Sequence, residues 1–113
     1  EVLEWPKVLF ENEVAKAFII GFYDGGYGMM VATNLRLLFV DVMPFGRVIV
    51  DDIPYNMVGT TELQLGILFG SITVFARSNT YRFWWLKKDN ASDFNEYVEL
   101  QMLKNLKDNT EQK

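Results

Sequence analysis

Apolar positions along this chain recur first at the period of strands and then, near the end, at the period of a helix. From Val14 to Tyr23, Val14, Phe18, Ile20 and Phe22 share one parity, interrupted by Lys16. Ala15, Ala17, Ile19 and Tyr23 share the other. This predicts a strand with a larger and a smaller face. Asp24-Gly25-Gly26 is a hairpin signal, because glycine supplies the positive φ that tight turns need. A second strand is expected from Tyr27 to about Thr33, with a short turn at Thr33-Asn34. The third, Leu35 to Val42, is apolar on both parities except at Arg36 and Asp41, as expected of a central strand covered on both faces. Met43-Pro44-Phe45-Gly46 reads as a loop.

Arg47 to Ile53 alternates in part, and Pro54 ends that strand or confines it to an edge. Met57 to Leu65 loses its parity near Gly59-Thr60, where a bulge is expected. Ile67 to Ala76 is read as the sixth strand, with Leu68, Ile72 and Val74 on one face. After a turn at Ser78-Asn79 comes the seventh, Thr80 to Leu86. There Tyr81, Phe83 and Trp85 oppose Arg82, Trp84 and Leu86. Upstream of all this, Trp5-Pro6 marks a bend.

The period then changes. Asn90 with Asp93 three residues on resembles a helix start. Phe94, Tyr97, Val98 and Met102 form one helical stripe, with Leu106 at its margin. Acids precede lysines along this segment, which complements the helix dipole. Seven strands in order and one closing helix predict a mainly β domain with one C-terminal α-helix, an antiparallel barrel or sandwich. Residues 1–107 are expected to form that single domain, and 108–113 a polar tail or the start of a linker.

Composition narrows the chemistry. Among 113 residues there is no histidine and no cysteine, so disulfides, thiol chemistry and His-dependent nucleophiles are excluded. A metal site would need oxygen ligands alone. The net charge is −4 and the cations are scattered, Lys87-Lys88 being the only adjacent pair. Nucleic acid is therefore not an expected partner. No run is long and apolar enough for a transmembrane helix. The first residue is Glu1 and no charged-then-apolar leader follows, so a preceding segment is expected to have been removed.

Several runs together resemble a known family. They are "VATNLRLLFVDV" (Val31–Val42), "VDDIPYNMVGTTELQLGILFGSITVFA" (Val50–Ala76) and "FNEYV" (Phe94–Val98). They look like a bacterial pleckstrin-homology (PH)-like domain of the YokE type, and more distantly like eukaryotic GRAM domains. The family-like steps fall at Thr33, Asn34 and Arg36, at Ile53, Pro54 and Tyr55, and at Gly66, Gly70, Ile72 and Thr73. The resemblance spans about Val14 to Leu106. It implies a PH-like fold, a bent antiparallel seven-stranded sheet capped by an amphipathic helix. It also implies a binding or assembly module without a defined activity, expected in the cytoplasm.

Phosphoinositide-binding PH domains resemble one another in a basic loop between the first two strands. Here that loop is Asp24-Gly25-Gly26-Tyr27-Gly28, with one acid and no cation, so phosphoinositide binding there is disfavoured. Asp51 and Asp52 are adjacent on a strand and point to opposite faces, so they cannot converge on one proton or metal. A charged edge strand is the favoured reading, with Asp41 as a conceivable cross-strand neighbour of either. Ser71, Ser78 and Ser92 lack an activating histidine. Gly66, Gly70 and the Gly25–Gly28 stretch open no helix after a strand and are read as turns. Arg36 is expected to be exposed on the outer face, paired across strands with Asp41 or Asp51; a structural ion pair at the strand's start is the sharper alternative.

No catalytic, cofactor or metal residues are assigned, and no enzyme is expected. The surplus is apolar. Trp84 or Trp85 must face outward if strand alternation holds, unless sheet and helix cover both sides. Leu100 and Leu103 fall opposite the helix's core stripe. Trp84, Trp85, Leu100 and Leu103 are thus the candidate surface for a protein partner or for self-association. The alternative is a peripheral membrane adaptor that recognises anionic lipid head groups through Lys87 and Lys88.

Overall fold

The computed structural model describes residues 11–23, 26–42, 48–77 and 79–111. The expected Trp5-Pro6 bend, the Asp24-Gly25 turn, the loop at 43–46 and the residue Ser78 lie outside them. Seven strands follow in sequence: β1 (Ala15–Tyr23), β2 (Gly26–Thr33), β3 (Arg36–Val42), β4 (Val48–Pro54), β5 (Val58–Leu65), β6 (Gly70–Ala76) and β7 (Thr80–Leu86). A 3-10 turn, Tyr55–Met57, joins β4 to β5, and one helix, α1 (Lys88–Glu111), ends the described chain. The strands form one antiparallel sheet in the order β4-β3-β2-β1-β7-β6-β5. β4 and β5 are its two edges, so the sheet does not close, and the expected barrel is corrected to one open sheet.

The sheet joins its two halves where β1 meets β7, with Phe22 opposite Trp84. A Cβ at Gly21 would stand 2.5 Å from Leu86 Cδ2 and 2.8 Å from the Trp84 carbonyl oxygen. Only glycine permits that approach without a shift. The core lies between the inner face of the sheet and α1. Ile19, Met30, Leu37, Phe39 and Ile53 come from β1 to β4, and Ile72, Val74, Tyr81, Phe83 and Leu86 from β6 and β7. Ala91, Phe94 and Val98 come from the helix. Tyr23, Phe39, Tyr81 and Phe83 stack and tilt against one another within it.

The central strand is covered as its composition predicts: Leu37, Leu38, Phe39 and Val40 are all buried. The bulge in β5 also falls where the parity failed, between Val58 and Thr60. The helix differs at both ends. It begins at Lys88, the Lys87 carbonyl accepts the Ala91 N–H at 2.9 Å, and Asn90 lies inside the first turn. Leu86 and Ala91 are both buried, so packing sets the start ahead of the capping pattern. At the other end no Gly or Pro stops the helix after Leu106, and it continues to Glu111.

Candidate functional site

The strongest polar arrangement is a latch between the entry to β1 and the turn from β2 to β3. The Glu13 side chain is fully buried and receives Arg36 through two bonds, Nε to Oε2 at 2.8 Å and Nη2 to Oε1 at 2.9 Å. Thr33 Oγ1 donates to the same Glu13 Oε2 at 2.5 Å and accepts the backbone N–H groups of Leu35 and Arg36. Arg36 Nη1 reaches Asp52 Oδ2 at 2.7 Å. Asn34 completes the latch: its Oδ1 accepts the Val14 N–H, and its own N–H bonds the Val14 carbonyl. Tyr55 donates its hydroxyl to the Thr33 carbonyl at 2.5 Å, and burial pushes that hydroxyl's pKa upward. Hydrogen bonding to Glu13 likewise raises the Arg36 pKa. The expectation of an exposed Arg36 is overturned, because its side chain is 10% exposed and its guanidinium is bound by Glu13 and Asp52. The Thr-Asn-x-Arg and Ile-Pro-Tyr runs are therefore fold determinants.

The acids of β4 serve the fold as well. Asp51 accepts the Tyr81 hydroxyl at 3.0 Å, whereas Asp52 faces Arg36. The register sets Asp41 opposite Ile49, so Asp41 is not the cross-strand neighbour of either. Among the described residues no group of three or more carboxylates is placed to hold a metal.

The apolar surplus is arranged differently from the expectation. The larger parity of β1 faces outward: Phe18 and Ile20 are exposed, while Ile19 and Gly21 face the core. Phe22, on the outward parity, meets Tyr27 of β2 edge to face and lies 5.0 Å, ring to ring, from Trp85 of β7. Trp84 and Trp85 are both exposed, at 46% and 63%, against the alternation that put them on opposite faces. The reason is a bulge. The β6–β7 register slips between Gly70 and Ile72, and Trp85 takes a left-handed φ of 60°. The extra residue turns both indoles outward while Phe83 and Leu86 stay buried. Phe18, Ile20, Phe22, Tyr27, Trp84 and Trp85 thus share one outer face over β2, β1 and β7. The four besides the tryptophans escaped sequence reasoning, although the larger parity of β1 carried the signal.

Leu100 and Leu103 are exposed on α1, with Leu106 beside them. Leu103 and Leu106 also border a cavity of about 560 Å³ between α1 and β5, where Tyr55, Val58 and Met102 contribute. Thr61 Oγ1 lines it, buried and without a partner among the described residues. The four candidate apolar residues therefore divide into a sheet face and a helix ridge.

A further difference lies between β5 and β6. The expected sixth strand begins at Gly70, and Ile67, Leu68 and Phe69 lie in the connection at 91%, 75% and 51% exposure. Lys87 and Lys88 stand beside this tip, sharing a recess with Leu68 and Phe69.

The open sheet capped by one helix defines a PH-like module. The chain belongs to the bacterial PH domain family, whose model matches residues 9–99. Two solved structures share the fold. One is a DUF1696 family protein with a pleckstrin-homology domain from Shewanella loihica, 17% identical, with a TM-score of 0.64 over 89% of each chain. The other is a pleckstrin homology domain from Shewanella amazonensis, 16% identical. Its TM-score is also 0.64, over 90% of this chain and 95% of that one. No curated protein matches the chain. No helix among the described residues is long and apolar enough to cross a membrane.

Proposed function

We propose that this chain is a non-enzymatic, cytoplasmic assembly module that binds a second copy of itself. Within the bacterial PH family its Thr-Asn-x-Arg and Ile-Pro-Tyr runs favour the YokE type. The observation that carries the reading is the outer sheet face formed by Phe18, Ile20, Phe22, Tyr27, Trp84 and Trp85. From typical side-chain areas it offers on the order of 500 Å² of apolar surface. That is a large share of the roughly 800 Å² that each partner contributes to a stable interface.

The occupant that fits is the leucine ridge of α1 on the next copy. A flat apolar sheet face is covered in proteins by a helix with an apolar stripe. This chain carries both, the face and the ridge of Leu100, Leu103 and Leu106. One head-to-tail contact covers both surfaces, whereas a face-to-face contact leaves the leucines in water. Such heterologous contacts close into rings or run on as filaments.

Size-exclusion chromatography with light scattering tests this. The wild-type chain is expected above its monomer mass of 13.1 kDa. Phe18→Lys with Ile20→Lys, and separately Leu100→Lys with Leu103→Lys, are each expected to lower that mass. A wild type that stays monomeric at every concentration contradicts the proposal. So does a wild-type assembly that neither pair of substitutions changes.

A further inference from the structure

The tip between β5 and β6 is apolar, where exposed turns are ordinarily polar. The Gly66 N–H bonds the Phe69 carbonyl at 2.8 Å, which leaves Ile67 and Leu68 as the two apex residues of a tight hairpin. They are a β-branched residue and a leucine, neither of them at positive φ, so the backbone there would accept polar residues equally well. Nothing in the fold requires these side chains, since Ile67 is 91% exposed and Leu68 75%. Contiguous apolar side chains held in solvent without a role in the fold point to contact with a partner or a membrane.

The surroundings say what the tip meets. On one side Phe69 shares a recess with Trp84 and Trp85. On the other, Leu68 and Phe69 share one with Lys87 and Lys88. Asp89 lies in that second recess too, so the local charge is one positive unit, in a chain whose net charge is −4. The only adjacent cation pair of the sequence thus stands beside the exposed apolar tip. Apolar tip, flanking indoles and lysines are the three components of an interfacial membrane anchor. Aliphatic groups enter the acyl boundary, indoles sit at head-group level and lysines reach anionic phosphates.

We infer that the β5–β6 tip inserts into the interface of an anionic bilayer, with Ile67 and Leu68 as the wedge. This goes beyond self-association: Trp84 and Trp85 border both surfaces, but the wedge of Ile67 and Leu68 lies outside the Phe18 and Ile20 face. It is distinct from a head-group pocket at the loop of the first hairpin, where the sequence from Asp24 to Gly28 holds no cation.

Co-sedimentation with phosphatidylcholine vesicles, with and without phosphatidylserine, tests it. The wild-type chain is expected to bind the phosphatidylserine vesicles preferentially, with tryptophan emission shifting to the blue. Leu68→Glu is expected to lower the partition coefficient about tenfold or more, with the circular dichroism of the free protein unchanged. Lys87→Glu with Lys88→Glu is expected to weaken binding and flatten its salt dependence. The Leu68→Glu ratio is expected to hold in the Phe18→Lys plus Ile20→Lys background, which separates this inference from self-association. Wild-type protein left in the supernatant overturns it, as does undiminished binding by Leu68→Glu. A Leu68→Glu effect on assembly mass without one on vesicle binding also overturns it, and identifies a protein as the occupant.

Discussion

Replacing Glu13 with alanine removes the buried carboxylate that ties the start of β1 to the β2–β3 turn. Glu13 accepts two bonds from Arg36 and one from Thr33, and its side chain is fully buried. Without it, the described carboxylate that still faces Arg36 is Asp52, whose side chain is 53% exposed. Removing one member of a buried ion pair costs about 3–5 kcal/mol, because the other charge stays desolvated and uncompensated. For a domain of this size that is a fall in Tm of about 15 °C or more. Asp52→Ala breaks a partner already in water and is expected to cost about 1 kcal/mol or less. Urea unfolding followed by far-UV circular dichroism measures both. An apolar double replacement, Glu13→Leu with Arg36→Met, is expected to recover much of the loss, since it leaves no buried charge behind. Equal costs for Glu13→Ala and Asp52→Ala, or a double variant as unstable as the single, would refute the assignment of the latch to the buried carboxylate.

Three further outcomes follow from the same geometry. At Trp85 the left-handed φ makes glycine the better replacement: Trp85→Gly should be about 1 kcal/mol more stable than Trp85→Ala in the same unfolding assay, the reverse of the usual strand preference. Gly21→Ala drives a methyl against the Trp84 carbonyl oxygen and Leu86 and is expected to cost about 1–3 kcal/mol, read as a lower urea midpoint. Stability should also fall in alkali. Burial, helped by the bond to Asp51, pushes the Tyr81 hydroxyl up to about 12 from its ordinary 10.0, and burial raises Tyr55 and Tyr97 as well. The fold favours the neutral phenols. Their contribution is therefore complete below pH 10 and lost as the pH climbs through the raised values. Tyr81→Phe should flatten that fall in a pH series of unfolding curves, and an unchanged slope would count against it.

The order of the elements was legible because turn residues and parity speak locally. Gly59 announces a bulge, the two apolar parities of Leu37 to Val40 announce a central strand, and Phe94 with Val98 announce the core stripe of the helix. What escaped the sequence depends on register or on distant partners. Arg36 looks like a surface residue until Glu13, twenty-three positions earlier, is folded against it. Trp84 and Trp85 obey alternation until one extra residue in β7 turns both outward. The larger parity of β1 would be assigned to the core by size alone. It faces out because Gly21, on the other parity, has to approach β7. Ile67 to Phe69 extended a strand on paper by their apolarity, although the flanking Gly66 and Gly70 already marked a turn. Of the candidate surface, the sequence named the two tryptophans and the two leucines. The β1 and β2 residues that make the tryptophans part of a face came only with the register.

The measurement that bears most directly on the head-to-tail reading is a mixing experiment by light scattering. Phe18→Lys with Ile20→Lys destroys the sheet face and leaves the leucine ridge, whereas Leu100→Lys with Leu103→Lys does the opposite. Each variant alone is expected to be a monomer. Mixed in equal amounts, they retain one intact face and one intact ridge between them. The account predicts a species of twice the monomer mass that contains one of each. Two variants that remain monomeric in the mixture, beside a wild type that assembles, would contradict it.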